Sequence, residues 1–94
     1  MQKFSAGQIV MTRGISNRID SEPDFSEFIQ VILTRHLNCD WGDGPDCDRA
    51  QNEIALVDGD RLMSSYLHQQ LRTKVWIITE ADRSVTTVMF PDEY

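Results

Sequence analysis

The fold is decided by residues 62–90, which read LMSSYLHQQLRTKVWIITEADRSVTTVMF. Three runs in this stretch, at 62–67, 75–80 and 85–90, alternate in the way that half-buried strands do, because successive strand residues face opposite sides of a sheet. The connections at 69–73 and 81–84 have the length of hairpin loops. The stretch therefore predicts a three-stranded antiparallel meander.

A helix is predicted before the meander. The apolar residues between Asp24 and Leu37 recur at spacings of three and four, which is the pattern of one helix face. They are Phe25, Phe28, Ile29, Ile32, Leu33 and Leu37. Nearer the start of the chain, Gly7–Thr12 resembles a short strand and Ile15–Asp20 predicts one or two helical turns.

A further helix is expected between this helix and the meander. Residues 38–45 have the composition of a loop, and Asp46 or Asp48 is placed to cap a following helix. Asp58-Gly59 is a typical helix end. The inner face of this helix is predicted to consist of Ala50, Ile54 and Val57.

Together these elements predict a single α+β domain over residues 1–94, since a chain of this length cannot close a second core. Two to three helices cover one face of the meander, because so small a sheet does not stay folded with both faces wet. The N-terminal strand is expected at an edge of the sheet.

Charge limits the partners of the chain. Its formal net charge is −6 and its nine basic residues are scattered, so direct binding to nucleic acid is disfavoured. A basic protein partner fits this charge better. Homo-oligomerisation would also help a chain whose core is this small.

The chain shows no signal peptide and no apolar run of about 20 residues that would span a bilayer. Its two cysteines, Cys39 and Cys47, are expected to be free thiols rather than a bridge. The prediction is a soluble cytoplasmic protein with no membrane partner.

Several segments resemble a family of small uncharacterised bacterial proteins that plasmids, phages and other mobile elements carry. The segments are 11–15 (MTRGI), 35–38 (RHLN), 40–43 (DWGD) and 75–91 (VWIITEADRSVTTVMFP). Members are often labelled "plasmid-related protein" or "type I restriction endonuclease subunit M". The resemblance covers nearly the whole chain, and it implies a mobile-element context and a role in conflict with host defence.

The resemblance carries no catalytic residues to this chain. A DNA methyltransferase needs a Rossmann-like domain and a motif such as Asn-Pro-Pro-Tyr, and neither is present in 94 residues. The chain departs from the family pattern at Cys39, where the family has glycine, so the geometry of the turn before Asp40 is open.

The loop from Asp40 to Asp48 holds four carboxylates, which are candidate ligands for a hard cation, since carboxylates around glycine can wrap calcium. Its spacing does not match an EF-hand, and a solvated loop whose last acids cap the next helix is favoured. A third interpretation is a loop that binds a partner protein. An exposed Trp41 among acidic residues would suit an Arg-rich partner surface.

Two other groups of residues have side chains that could carry chemistry. His36, Cys39 and Cys47 are one ligand short of a structural zinc site. Ser64, Tyr66 and His68 share one strand face but are too widely spaced for a Ser–His hydrogen bond. We therefore predict no catalytic residues, no metal ligands and no cofactor.

The candidate binding residues are Arg13, Asp40, Trp41, Asp43, Asp82 and Arg83. Arg13 lies where a strand turns into a helix, and Asp82 and Arg83 lie at the tip of the last hairpin. Asp82 also has a purely structural explanation, because Asp commonly bonds its own backbone two residues on.

Three classes of function fit these observations. The first, which we favour, is a non-catalytic protein-binding module. The second is an inhibitor of host defence, anti-restriction or anti-CRISPR, that occupies a nucleic-acid groove with its carboxylates. The third is a small metal-dependent enzyme that uses the acidic loop.

Overall fold

The computed structural model describes residues 3–94. The elements in chain order are β1 (Gln8–Met11), α1 (Arg13–Ser21), α2 (Pro23–Leu37), α3 (Asp46–Asp58), β2 (Leu62–His68), β3 (Thr73–Thr79), β4 (Val85–Met89) and a short 3₁₀ helix (Pro91–Glu93). The predicted strands and the long helix are confirmed to within a residue or two. The predicted helical turns extend at both ends to form α1, which the Thr12 side chain caps by accepting from the Ile15 amide.

The strands form one sheet in the order β1-β4-β3-β2. The β2–β3 and β3–β4 pairs are antiparallel, as the meander predicts, with Ser64 opposite Ile77 and Ile77 opposite Val88. The sheet has four strands and not only the three of the meander, because the N-terminal strand joins it at an edge, as expected. Strand β1 adds beside β4 in the parallel direction, so that the sheet is mixed and has β1 and β2 as its edges.

Helices α1 and α2 cover one face of this sheet. Alternate strand residues point towards them, and this inner set includes Tyr66, Val75, Ile77 and Val88. The helices contribute the buried residues Ile15, Phe25, Ile29 and Ile32. Burial of each side chain of this size contributes about 1.5–3 kcal/mol to the stability of the folded state. The residues that give α2 its periodicity and the strands their alternation are therefore the ones that form the main core.

A second, smaller cluster fixes α3 against the β2 edge. It consists of Trp41, Ala55 and Leu62, with Phe4 and Leu56 packed around them. No helix within the described residues has the length and apolar character needed to cross a membrane.

Candidate functional site: an acidic helix beside a protected sheet edge

Negative charge is concentrated in residues 40–61, which we call the acidic segment. This segment holds seven carboxylates and two arginines, a formal charge of −5 out of −6 for the whole chain. It comprises the loop after α2, helix α3 and the turn into β2. The rest of the chain is nearly neutral, so the overall acidity is a property of one region.

Helix α3 leaves an apolar stripe in solvent, defined by Ala50, Ile54 and Val57. Ile54 is 53% exposed and Val57 is 84% exposed. The predicted inner face of this helix is therefore wrong. The residues that α3 buries are Asn52 and Ala55, and Asn52 lies about 200° around the helix from Ile54 at 100° per residue.

Asn52 explains this orientation. Its side-chain Oδ1 accepts from the Met63 amide at 3.0 Å, and its Nδ2 donates to the Met63 carbonyl. The amide side chain thus occupies the place of a neighbouring strand at the β2 edge. Turning the apolar stripe inwards would leave both Met63 groups unpaired, and each would cost about 1–3 kcal/mol if kept from water.

The loop before α3 protects the same edge further along. The Asp43 amide donates to the Ser65 carbonyl at 2.7 Å, and Asp43 Oδ2 accepts from the Leu67 amide at 2.9 Å. Gly42 forms an isolated bridge with Ser65 at a φ of +84°. A Cβ at residue 42 would lie 2.1 Å from the Ser65 carbonyl oxygen, so only glycine permits this approach.

Trp41 is buried at 5% exposure, so the expectation of an exposed indole among the acids is wrong. Its ring stacks on Phe4 with a centroid separation of 6.2 Å and meets the edge of His36. Its Nε1 donates to the Glu53 carboxylate. Trp41 therefore anchors the loop and α3 to the body of the domain.

Asp40 is held by Arg35 in a two-pronged ion pair, with nitrogen–oxygen distances of 2.8 and 3.1 Å. The hydrogen bond from Arg35 lowers the pKa of Asp40. The backbone carbonyl of Asp40 accepts from the Tyr66 hydroxyl at 2.6 Å. Cys39, directly before it, adopts a φ of +64°, which is the left-handed conformation that glycine favours.

Of the predicted loop site, then, Asp40, Trp41 and Asp43 come together but are engaged in intramolecular contacts. Within residues 3–94, no three His, Cys, Asp or Glu side chains are grouped to hold a metal ion. Asp46 forms an ion pair with Arg49. Cys39 and Cys47 are both free thiols.

A buried polar chain, which sequence reasoning missed, runs beneath the β2 edge. His36 Nδ1 lies 2.5 Å from the Ser64 hydroxyl, and Nε2 lies 2.9 Å from the Thr79 hydroxyl. Thr79 continues the chain to Thr86, which donates to the Ala6 carbonyl. Burial lowers the pKa of His36 to about 4.

This Ser–His pair has the contacts of a structural group. Ser64 is 2% exposed, and the second His36 nitrogen faces a hydroxyl instead of the carboxylate that orients a catalytic histidine. A pKa near 4 also makes His36 a weak base at neutral pH. The arrangement satisfies buried polar groups and locks α2 to β2 and β3.

The hairpin residues have structural contacts too. Asp82 Oδ1 accepts from the amide and hydroxyl of Ser84, which confirms the predicted turn chemistry. The Arg83 guanidinium donates to the carbonyls of Asp60 and Ala55 at 2.7 and 3.4 Å. Arg83 therefore ties the end of α3 to the β3–β4 turn.

Arg13 lies apart from the other candidates. It begins α1, just beyond the end of β1 that pairs with Val88, whereas Arg83 precedes the opposite end of β4. The two ends of β4 are separated by about 13 Å at about 3.3 Å per strand residue. The six predicted binding residues thus do not form one site.

A groove of about 480 Å³ opens between α3 and the outer face of the sheet. Met63, Leu67 and Trp76 form its apolar part, and Asp48 and Lys74 contribute opposite charges. Asp48 and Asn52 of α3 line this groove, and Asn52 lies on the buried side of the helix. The apolar stripe lies on the opposite side of α3, away from the groove.

No protein-family model, no curated protein and no solved structure matches the chain.

Proposed function

We propose that the protein is a non-catalytic binding module that uses the outer side of α3 to bind a basic, amphipathic segment of a partner protein. The observation that carries this proposal is the apolar stripe in solvent within the most acidic part of the chain. Apolar residues exposed together on one helix face mark interaction surfaces, whereas single exposed ones are ordinary.

The charges around the stripe define the chemistry of the partner. Within the described part of the chain, ion pairs engage Asp40 and Asp46 but none of the other five carboxylates of the acidic segment. Asp58 and Glu53 lie on either flank of the stripe at 100° per residue. A partner helix with apolar residues at spacings of three and four and with Lys or Arg beside them complements this surface.

Catalysis has less support in the geometry. The most reactive pair by composition, His36 and Ser64, is buried and occupied by structural hydrogen bonds. Turnover of a substrate by the pure protein would contradict the non-catalytic proposal. The proposal includes a reducing, cytoplasmic location, because both thiols are free.

The test uses two synthetic helical peptides of the same Leu pattern, one with Lys and one with Glu on the polar face. Isothermal titration should detect binding of the Lys peptide that weakens as salt rises, since salt screens exposed charges. The variant Ile54→Ser/Val57→Ser should bind at least tenfold more weakly. Val31→Ser is the matched control, because Val31 is 51% exposed on α2, outside the acidic segment.

Equal binding of the two peptides, or binding that the double variant leaves unchanged, would contradict the proposal. The natural partner can be identified by a pull-down from nuclease-treated host lysate. The native protein and the Val31→Ser variant should retain a stoichiometric basic protein that the double variant loses.

A second candidate is the sharper form of the same function, an inhibitor of host defence. The concentration of −5 of the net charge in residues 40–61 favours it, because a nucleic-acid mimic needs a region of concentrated negative charge. The resemblance to mobile-element proteins agrees with this candidate. If the protein is such an inhibitor, added DNA or RNA should displace it from its partner. A partner that binds the protein through apolar contact alone should remain bound when nucleic acid is added.

A further inference from the structure

The outer edge of β1 presents unpaired backbone groups. Gln8 and Thr12 donate their amides to the Ser84 and Val88 carbonyls of β4. Because backbone groups alternate in direction along a strand, Ile9 and Met11 direct their N–H and C=O groups away from β4. Within residues 3–94, neither residue has a hydrogen-bond partner on that outer side.

Strand β1 also lacks the charged residue, the proline and the bulge that protect many sheet edges. Natural edge strands commonly carry Lys, Pro or a bulge that prevents pairing with another chain. The sequence of β1 is QIVM, with no charge and no proline. Ile9 is 44% exposed and Met11 is 37% exposed, so apolar side chains accompany the unpaired backbone.

We propose that β1 pairs with β1 of a second copy of this chain, in the antiparallel direction, with Val10 on the two-fold axis. Ile9 then faces Met11 of the second copy, and Met11 faces its Ile9. Both are hydrogen-bonded pairs, which exchange two hydrogen bonds each, so the contact makes four. Val10 meets its own counterpart, and every side chain in the contact is uncharged.

The uncharged sequence of β1 and its distance from the acidic segment favour a second copy as the occupant. The acidic segment packs beside β2, at the edge farthest from β1. Pairing through β1 makes an eight-stranded sheet with the two β2 strands about 34 Å apart, at about 4.8 Å per strand. That distance is several Debye lengths in physiological salt, so the net charge of −6 on each copy opposes this association weakly.

Sedimentation analysis over a range of protein concentrations tests the pairing. We expect a reversible monomer–dimer equilibrium, because a four-residue strand buries less area than stable dimers do. Ile9→Pro removes the outward N–H of both copies and leaves the β4 ladder intact, since edge strands accept proline where the N–H faces solvent. It should weaken the dimer about tenfold or more through the two lost hydrogen bonds. Ile9→Val, the matched control, keeps the donor and the dimer.

Circular dichroism and a thermal melt confirm that Ile9→Pro is folded. A protein that stays monomeric up to about 1 mM, or a dimer whose dissociation constant Ile9→Pro leaves unchanged, would overturn the proposal.

Cross-linking tests the register and decides the matter if Ile9→Pro does not fold. In a Cys39→Ser/Cys47→Ser background, Val10→Cys places two thiols at a non-hydrogen-bonded pair, where the Cα atoms lie about 4.5 Å apart, within the range for a disulfide. Mild oxidation should yield a disulfide-linked dimer from Val10→Cys and little from Ile9→Cys, which faces Met11 of the other copy. Equal cross-linking of the two variants, or none in either, would overturn the register and the pairing with it.

Discussion

The two edges of the sheet differ in how their backbone groups are satisfied. At the β2 edge, side chains and a loop hydrogen-bond the outward N–H and C=O groups, whereas at the β1 edge these groups are exposed to solvent. The Asn52 side chain hydrogen-bonds both the amide and the carbonyl of Met63. Asp43 hydrogen-bonds the Ser65 carbonyl and the Leu67 amide. Ile9 and Met11 of β1 have no such partners among residues 3–94. This comparison indicates that a few polar groups of the acidic segment protect the β2 edge from pairing with another strand. An edge without such groups, as in β1, is suited to pairing.

The largest expected effect comes from removing the close approach at Gly42. Gly42→Ala places a Cβ 2.1 Å from the Ser65 carbonyl oxygen at a left-handed φ, so the loop must leave the β2 edge. We expect a loss of about 2–5 kcal/mol in the free energy of unfolding, from the strained backbone and the overpacking together.

Urea denaturation measures this change. Gly44→Ala is its control, because the nearest atom to a Cβ there is 3.9 Å away. The control should change stability by less than about 0.5 kcal/mol. A Gly42→Ala protein as stable as Gly44→Ala would show that the loop does not depend on this contact.

The second-largest loss of stability is expected on substitution of Asn52. Asn52→Ala leaves the N–H and C=O of Met63 without their side-chain partner, and we expect a loss of about 2–3 kcal/mol. The exposed neighbour Gln51→Ala should be nearly neutral in the same urea titration. The freed β2 edge should also increase self-association, which sedimentation detects. Equal stability of the two variants would argue against the protective role of Asn52.

The histidine beneath the protected edge predicts a pH dependence. Burial lowers the pKa of His36 to about 4, below its ordinary value, so the unfolded chain binds the proton more readily than the folded one. Stability is then fully present above about pH 6.5 and falls as pH drops towards 4, by about 2 kcal/mol between pH 7 and 5.

Urea titrations at pH 7, 6 and 5 test this dependence against His36→Gln, which cannot take up the proton. The variant should lose much less stability over the same interval. Parallel pH profiles for the two proteins would exclude His36 as the cause.

The smallest effect is expected at Asp43. Asp43→Ala removes one hydrogen bond, that from the Leu67 amide, and should lower stability by about 1 kcal/mol. Asp43→Asn keeps an acceptor oxygen and should recover most of the loss. If Asn and Ala prove equally destabilising, the charge of Asp43 matters more than its hydrogen bond.

Much of the fold could be predicted from local patterns. The spacing of apolar residues in α2 and the alternation in β2, β3 and β4 both report a buried face directly, because packing against one layer imposes these periods. The parallel addition of β1 could not be predicted in this way, since QIVM contains no signal for its partner or direction.

The site was less predictable, and α3 shows why. Ala50, Ile54 and Val57 have the better apolar spacing, yet Asn52 faces the sheet because a side-chain amide matches an edge strand. Likewise, strand alternation placed Ser64 with Tyr66 but did not reveal that His36 reaches Ser64 from α2, 28 residues away. A polar residue within a helix, such as Asn52 or His36, is the sequence feature that could have indicated such contacts.

Hydrogen exchange of individual amides, followed by NMR at two protein concentrations, tests the difference between the two edges most directly. In dilute protein, the Met63 and Leu67 amides of β2 should be protected and the Ile9 and Met11 amides of β1 should exchange rapidly. In concentrated protein, Ile9 and Met11 should become protected as copies pair, while Met63 and Leu67 should not change. Protection of Ile9 and Met11 that is already complete in dilute protein, or rapid exchange at Met63 and Leu67, would contradict this account.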